Sequence, residues 1–292
     1  MFPSNFDYRA PTSLNEAVSL LQGHDGDIKL LAGGQSLIPL LKLRLAQPAQ
    51  LVDIGRVPEL RGIHDEGSGI VVGATTTYAQ VLDSALAQRR APLLGQAIRQ
   101  IGDPQVRARG TVGGSLAHAD PSGDLPAVAL ALNAELRTLS QRGARSIPAD
   151  QFFVDLLTTA LESDAIVTSI RFEATDTPGM GTAYMKHRHP ASGYAVVGVA
   201  AVVRVNDDGT CGDVRIGITG ASTHAVRASA TEQALAGRAL DDAAIAGAAN
   251  LATDGLNLLS DTYASDEFRA QLTRVLTRRA ITEAARNARL HG

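Results

Sequence analysis

Cysteine is all but missing from this chain: Cys211 is the only one among 292 residues. That excludes an internal disulfide, and it excludes an iron–sulfur cluster held by cysteines of this chain alone. Tryptophan is absent and aromatic residues make up 4%, so each tyrosine near a polar motif carries more weight than usual. No charge sign dominates. The formal net charge is −3 with both signs dispersed, which gives no electrostatic case for nucleic acid or an anionic membrane surface. The longest apolar run, Ala195 to Val203, contains Gly198 and is too short to cross a bilayer. The first residues, Met1-Phe2-Pro3-Ser4-Asn5-Phe6, lack the basic and apolar regions of a secretory signal, and a cytoplasmic protein is expected. Catalytic signatures are missing too. The sequence holds no His-Glu-x-x-His, no Gly-x-Ser-x-Gly, no Walker loop, and no Gly-x-Gly-x-x-Gly opening a helix. We expect no metal site and no catalytic residue of the chain's own.

What is present is a pair of glycine pairs. Lys29-Leu30-Leu31-Ala32-Gly33-Gly34-Gln35-Ser36 holds the first and Thr111-Val112-Gly113-Gly114-Ser115-Leu116 the second. Each follows or interrupts a β-prone run and ends in serine. A glycine turn can present consecutive backbone N–H groups to an anion, because no Cβ blocks the approach. One such pair is ordinary punctuation. Two predict a pyrophosphate gripped from two sides by something other than a P-loop or a Rossmann turn.

The length suits one to three domains, and a chain of this size buries roughly three quarters of its unfolded surface. Ser13 and Glu16 fit a capping box ahead of Leu14, Val18 and Leu21, which share a helical face. Ile28 to Ala32 reads as a buried strand, Ser36 to Leu45 as a short helix with Pro39 in its first turn, and Leu51 to Ile54 as a strand. Together they make a βαβ-like unit. Ile70 to Ala74 is a further strand leading into the hydroxyl run Thr75-Thr76-Thr77. Helices are expected over Tyr78 to Gln88, Ala91 to Ile101 and Asp124 to Leu132, with a loop over Gly102 to Gly110. Ala134 to Leu139 and Ala165 to Phe172 read as strands of one sheet. Asp176-Thr177-Pro178-Gly179-Met180-Gly181 is the expected domain boundary. It divides residues 1–176, with subdomains of about 1–56 and 57–176, from residues 177–292. Beyond it, Tyr184 to Lys186, Ala195 to Val205 and Val214 to Thr219 form an antiparallel meander turned at Asn206-Asp207-Asp208-Gly209. A long amphipathic helix from Ser265 to about Arg289 follows, with Leu272, Val275, Leu276, Ala280 and Ile281 on its apolar stripe.

The polar candidates each have a plain alternative. Asp120 and Asp124 flank Pro121-Ser122-Gly123. They form an acid–base pair, an Asx-turn plus a helix N-cap, or acceptors for ribose or ribityl hydroxyls. Arg107 and Arg109 are surface cations, phosphate contacts or residues that order the loop. His187 and His189 read better as a solvated basic loop than as metal ligands. A nucleotide site with no nucleophile, general base or metal suits a flavin, which brings its own redox chemistry.

These motifs resemble those of a family, the FAD-binding medium subunits of the molybdenum hydroxylases, the xanthine dehydrogenase and aerobic carbon monoxide dehydrogenase group. Ala32-Gly33-Gly34-Gln35-Ser36 resembles its first flavin loop, Gly102 to Leu116 its second, and Ala119-Asp120-Pro121-Ser122-Gly123-Asp124-Leu125-Pro126 continues the likeness. Lys42-Leu43-Arg44-Leu45 and Ser260 to Ser265 are also similar. The resemblance implies an α+β chain: two α/β subdomains clasping FAD in a vanillyl-alcohol-oxidase-type flavin fold, then a C-terminal antiparallel sheet with helices. It implies that Lys29 and the loop Ala32, Gly33, Gly34, Gln35, Ser36 and Leu37 bind the pyrophosphate and adenosine side, with Ala74 and Thr75 in the same cleft. Ile101, Thr111, Gly113, Gly114 and Ser115 would form the second wall. Asp120 and Asp124 would hold the sugar-alcohol portion, Val167 and Lys186 would lie near the isoalloxazine ring, and Tyr194 would shield it.

The implied function is an electron-transfer subunit that accepts electrons from two [2Fe–2S] clusters of a small subunit and passes them to an external acceptor. A large subunit would carry a molybdenum–pterin cofactor, and the assembly would be a dimer of heterotrimers. Carbon monoxide dehydrogenases of this family tend to have His where Gln35 stands and Asp where Ser115 stands. That leaves an N-heterocycle, a purine or an aldehyde at least as suitable a substrate as carbon monoxide. The competing reading is a self-contained FAD-dependent NAD(P)H reductase of the same fold class.

Overall fold

The computed structural model describes residues 2–22 and 27–290; Met1, part of the N-terminal segment read above, lies outside them. The first 56 residues build a small parallel sheet from β1 (Asp7–Arg9), β2 (Ile28–Leu31) and β3 (Gln50–Asp53), in the order β1-β3-β2. Helices α1 (Leu14–Leu20) and α2 (Leu37–Lys42) connect them. Ala17, Val18 and Leu21 of the first helical segment pack on Val52 and Ile54. The Ser13 hydroxyl caps α1 by accepting from the Glu16 amide, but the Glu16 carboxylate reaches past it to the Thr12 amide. The expected capping box is therefore half formed.

The second unit is a five-stranded sheet with a helical layer. Its elements are β4 (Ile63–Glu66), β5 (Gly69–Gly73), α3 (Tyr78–Asp83), α4 (Ala85–Arg90), α5 (Pro92–Ile98), α6 (Pro104–Arg109), α7 (Val112–His118) and α8 (Asp124–Ala131). They continue with β6 (Glu135–Ser140), β7 (Gly143–Pro148), α9 (Ala149–Phe152), β8 (Phe153–Asp155), β9 (Thr158–Thr159) and β10 (Ile166–Glu173). The strand order is β4-β5-β10-β6-β7, antiparallel at every pairing.

Several local expectations fail here for identifiable reasons. Gly102 to Gly110 is not a loop throughout: Asp103 caps α6 by accepting from the Val106 amide, and Pro104 opens it, where proline costs nothing. The Tyr78–Gln88 helix breaks at Ser84, which ends α3 and caps α4 with its hydroxyl. The second glycine pair is no turn; it lies in the first turn of α7, capped by Thr111.

The third unit is a meander of β11 (Met180–Arg188), β12 (Ala195–Val205), β13 (Cys211–Thr219) and β14 (Val226–Arg227), followed by α10 (Ser229–Leu235), α11 (Asp242–Ala249) and α12 (Asp266–Leu290). Strand alternation divides its two faces. Gly181 faces α12 so closely that a Cβ would run into the backbone of Ala284 and Ala288. Tyr184, Ala200 and Gly217 face the other way, toward α8, and a Cβ on Gly217 would meet the Ala127 carbonyl. The sheet is thus sandwiched between a helix of its own unit and a helix of the unit before it.

Cys211 lies at the start of β13, 2% exposed, and burial pushes its thiol up to about 11. The thiolate is the reactive form, so iodoacetamide at pH 8 should label Cys211 only after unfolding. Rapid stoichiometric labelling of the folded chain would contradict this burial.

Candidate functional site

The two glycine loops meet, and the meeting point is the first of the four glycines. A Cβ on Gly33 would fall on the Arg109 carbonyl oxygen and lie 3.0 Å from the Gly110 Cα. The first loop therefore rests on main chain of the second unit, and only glycine allows that approach. Gly34 takes the left-handed conformation, φ +76, so the special backbone belongs to Gly34 and the close approach to Gly33. Past that bend the amides of Gly34, Gln35, Ser36 and Leu37 donate to no acceptor among the described residues, and the first backbone bond resumes at Ile38, which donates to the Gly34 carbonyl at 3.0 Å. Ser36 makes no capping bond. Lys29 lies exposed on β2, paired with Leu51.

The second loop is built differently. Its amides are already engaged: Val112 donates to Thr76, Gly113 to Ala74, Gly114 to the Thr111 hydroxyl and Ser115 to the Thr111 carbonyl. A Cβ on Gly113 would strike Ala74 at 2.5 Å; one on Gly114 would meet the Thr111 hydroxyl at 2.6 Å and Ala32 at 3.9 Å. Gly113 thus seats α7 on Ala74, while Gly114 turns toward the first loop. The expectation of two equivalent anion-gripping turns is corrected accordingly. One loop offers amides; the other offers a close wall and the Ser115 hydroxyl, which acts to lower the Tyr78 phenol. Burial pushes the Tyr78 phenol up to about 12.

Ala74 and Thr75 are buried, and the Thr75 hydroxyl donates to the Leu60 carbonyl at 2.9 Å. They lie under the second loop, where the Ala74 carbonyl accepts from the Gly113 amide and the Thr75 hydroxyl is spent on Leu60. Ile101 is half-buried, its carbonyl accepting from the Arg107 guanidinium at 2.8 Å. Arg107 is therefore the residue that orders this loop. Val167 is 5% exposed and packs into the core beside Ala74, whose amide donates to the neighbouring Thr168 carbonyl.

The turn Asp120-Pro121-Ser122-Gly123 leads to α8. Asp120 forms the Asx-turn, accepting from the Ser122 amide at 2.8 Å. Asp124 is not an N-cap; Gly123 holds that position. Instead the Asp124 carboxylate is buried and bridges to β11. It accepts from the Tyr184 hydroxyl at 2.5 Å and from the Lys186 ammonium at 2.9 Å, and that ammonium also donates to the Gln100 carbonyl at 3.2 Å. The Lys186 side chain is 1% exposed. From sequence Tyr184 reads as a strand residue and not as a site residue, although it stands two residues before Lys186 and strand alternation puts both on one face. Tyr194 is exposed on the loop leading to β12, near the Asp120 and Asp124 carboxylates, and desolvation raises its phenol. The rings of His187 and His189 lie against Phe268 and Tyr263.

Burial pushes the Asp124 carboxyl above its ordinary 3.8, against the opposing pull of Lys186 and Tyr184. The sign follows from linkage. Below 3.8 the group is protonated folded and unfolded; above its raised folded value it is ionised in both. Between the two the folded chain holds an extra proton, so this group's contribution falls as pH rises. The stability of the parent chain relative to Asp124→Asn should therefore drop across that window. A difference that grows with pH would contradict the raised carboxyl.

Residues 4–172 match the FAD binding domain in molybdopterin dehydrogenase, and residues 182–284 match the CO dehydrogenase flavoprotein C-terminal domain. The chain is 39% identical to the carbon monoxide dehydrogenase medium chain of Hydrogenophaga pseudoflava, covering 97% of this chain and 98% of that one. It is 35% identical to the 6-hydroxypseudooxynicotine dehydrogenase complex subunit alpha of Paenarthrobacter nicotinovorans, covering 99% and 97%. The solved carbon monoxide dehydrogenase from Hydrogenophaga pseudoflava superposes with a TM-score of 0.95 at 40% identity, over 98% of this chain and 99% of that one. Quinoline 2-oxidoreductase from Pseudomonas putida 86 superposes with a TM-score of 0.92 at 33% identity, over 99% of each. This chain belongs to the FAD-binding medium subunits of the molybdenum-dependent oxidoreductases, the family that includes the carbon monoxide and xanthine dehydrogenases.

Proposed function

We propose that this chain holds one FAD and serves as the electron-relay subunit of a three-subunit molybdenum hydroxylase. The observation that carries this reading is the seat of Gly33 on Arg109 and Gly110, beside which the amides of Gly34 to Leu37 donate to no acceptor among the described residues, at the junction of two units. Such a cradle fits a pyrophosphate, and Lys29 adds a cation on the strand that leads into it. Ala32, Gly114 and Ser115 would face it from the two sides, over the floor of Ala74, Thr75, Ile101, Thr111 and Gly113. Asp120 and Asp124 lie at the turn beside Tyr194, which would cover the flavin ring, with Lys186 and Val167 behind. FAD when bound supplies the redox chemistry; these residues bind it, orient it and fix the charge around it. The functional division would fall between residues 176 and 177.

The partners follow from the family. A small subunit would bring two [2Fe–2S] clusters, a large one the molybdenum–pterin cofactor, in a dimer of heterotrimers working in the cytoplasm and discharging to an external acceptor. The relatives' names span carbon monoxide, a nicotine derivative and caffeine at 32–39% identity, so the substrate is set on another chain. Gln35 and Ser115 leave an N-heterocycle, a purine or an aldehyde at least as suitable there as carbon monoxide. A self-contained NAD(P)H reductase finds no support, since the matched relatives are medium or FAD-binding subunits over 95% or more of their length.

The test is expression of the chain alone and beside its two partners. Mass spectrometry of the heat-released cofactor should show FAD and no FMN. Substrate should bleach the flavin only in the complex. Bleaching in the isolated chain would refute the relay reading.

A further inference from the structure

We propose that Thr219, a residue of the C-terminal sheet, is a positioning residue for the turn that carries Asp120 and Asp124. The inference rests on the flavin reading for its purpose, but its geometry stands alone. Thr219 ends β13 and is fully buried. Its hydroxyl lies 2.7 Å from both the Pro121 and the Gly123 carbonyl oxygens, sharing one proton between them. Neither acceptor belongs to its own sheet; both belong to the turn before α8.

The strand register explains the placement. Lys186 pairs with Gly198, and Gly198 pairs with Thr219, so the three form one row across β11, β12 and β13 on the face toward α8. One row away stand Tyr184, Ala200 and Gly217. Gly198 leaves the space that its neighbours fill: a Cβ there would meet the Tyr184 hydroxyl and, at 2.9 Å, the Thr219 methyl. Gly217 lets α8 settle on the strand. The outer members of the first row then reach in opposite senses. Lys186 donates to the Asp124 carboxylate, and Thr219 donates to the backbone just before it. Two backbone bonds complete the grip, from the Gly220 amide to the Pro121 carbonyl at 2.6 Å and from the Ala195 amide to the Ser122 carbonyl at 3.2 Å. The sheet thus acts as a mould for the turn, and Thr219 supplies the only side-chain hydroxyl among the described residues by which it holds that turn's carbonyls.

Thr219→Val keeps the shape and removes the proton. A hydrogen bond of ordinary worth corresponds to about a fivefold to tenfold change in equilibrium. In the full chain, Thr219→Val should weaken FAD binding by that factor and speed hydrogen exchange at the Ser122 and Gly123 amides, while Thr219→Ser restores both. Thr231→Val is the control: Thr231 is equally buried, but its hydroxyl donates to the Ala248 carbonyl within the C-terminal unit. It should lower stability and leave FAD affinity and the turn unchanged. Equal effects of Thr219→Val and Thr231→Val on both readouts would overturn the proposal. Failure of both Thr219→Val and Thr219→Ala to fold, with Thr231→Val folded, would also overturn it, because the hydroxyl would then serve the core. If the parent chain takes up no FAD, the flavin reading fails by itself, and the exchange comparison still decides the role of Thr219.

Discussion

Gly33→Val should yield a chain that no longer holds flavin. Its new Cβ would fall on the Arg109 carbonyl and 3.0 Å from Gly110 Cα, and main chain has no rotamer with which to give way. Overpacking of this kind costs about 1–3 kcal/mol or more, and relief requires the first unit to move off the second. The amides of Gly34 to Leu37 move with it. A displacement costing about 3 kcal/mol of binding lowers FAD affinity roughly 100-fold. Gly114→Ala should do less, since it disturbs chiefly the Thr111 cap of α7, worth about 1 kcal/mol. Gly247→Ala is the control; it sits in α11 with open space around it, and removing a helical glycine should add about 0.5–1 kcal/mol of stability. Flavin-to-protein ratios and FAD titration of the purified variants check the ranking. Equal occupancy in Gly33→Val and the parent would refute the contact's importance.

Lys186→Met should be the most damaging change to stability. It leaves the Asp124 carboxylate buried with Tyr184 as its remaining side-chain donor. Breaking a buried pair by removing one partner costs about 3–5 kcal/mol, because the survivor's charge is uncompensated. The cost should shrink at low pH, where the carboxyl takes up a proton. Asp124→Asn combined with Lys186→Met removes both charges and keeps an acceptor for Tyr184, so it should recover a large part of the loss. Urea denaturation of the two single variants and the double variant measures this, and FAD titration shows whether the site follows the fold. Additive losses in the double variant would mean that the two groups do not act as a pair.

The parts that sequence showed most clearly are those whose neighbours lie close along the chain. The apolar run of β12 and the hairpin turn at Asn206 to Gly209 are local patterns and stand where they were read; of the stripe read on α12, Leu276, Ala280 and Ile281 are buried, while Leu272 and Val275 are half-buried and Arg269, Thr273 and Thr277 share the buried face. Strands β4 and β7 were not read at all. They are sheet edges, and most of their residues, such as His64 to Glu66 and Gly143 to Ser146, face solvent; polar edges carry no buried alternation. Helix α7 was hidden by its own glycines, which suit a turn by propensity. Ala74 demands Gly113 and the Thr111 hydroxyl crowds Gly114 there, and tertiary contact outweighed the local preference. In the site, Ala32 to Ser36 and the Asp120–Asp124 turn stood out as motifs. Their uses did not. That Gly33 serves Arg109, that Asp124 is tied to Tyr184, and that Thr75 spends its hydroxyl on Leu60 are pairings across the fold that no spacing within one segment prescribes.

The contact of Gly181 with α12 bears on when the site becomes usable during synthesis. β11 brings Tyr184 and Lys186 to Asp124, yet its opposite face is closed by Ala284 and Ala288 of a helix made long afterwards. On the ribosome the first two units emerge with their glycine loops complete while β11 still lacks its cover. Until α12 docks, the strand presents an apolar face to water, and the lysine and tyrosine it carries have no firm seat. Domains fold as units while the chain is made, so the cofactor should be captured only after α12 has been made and has docked.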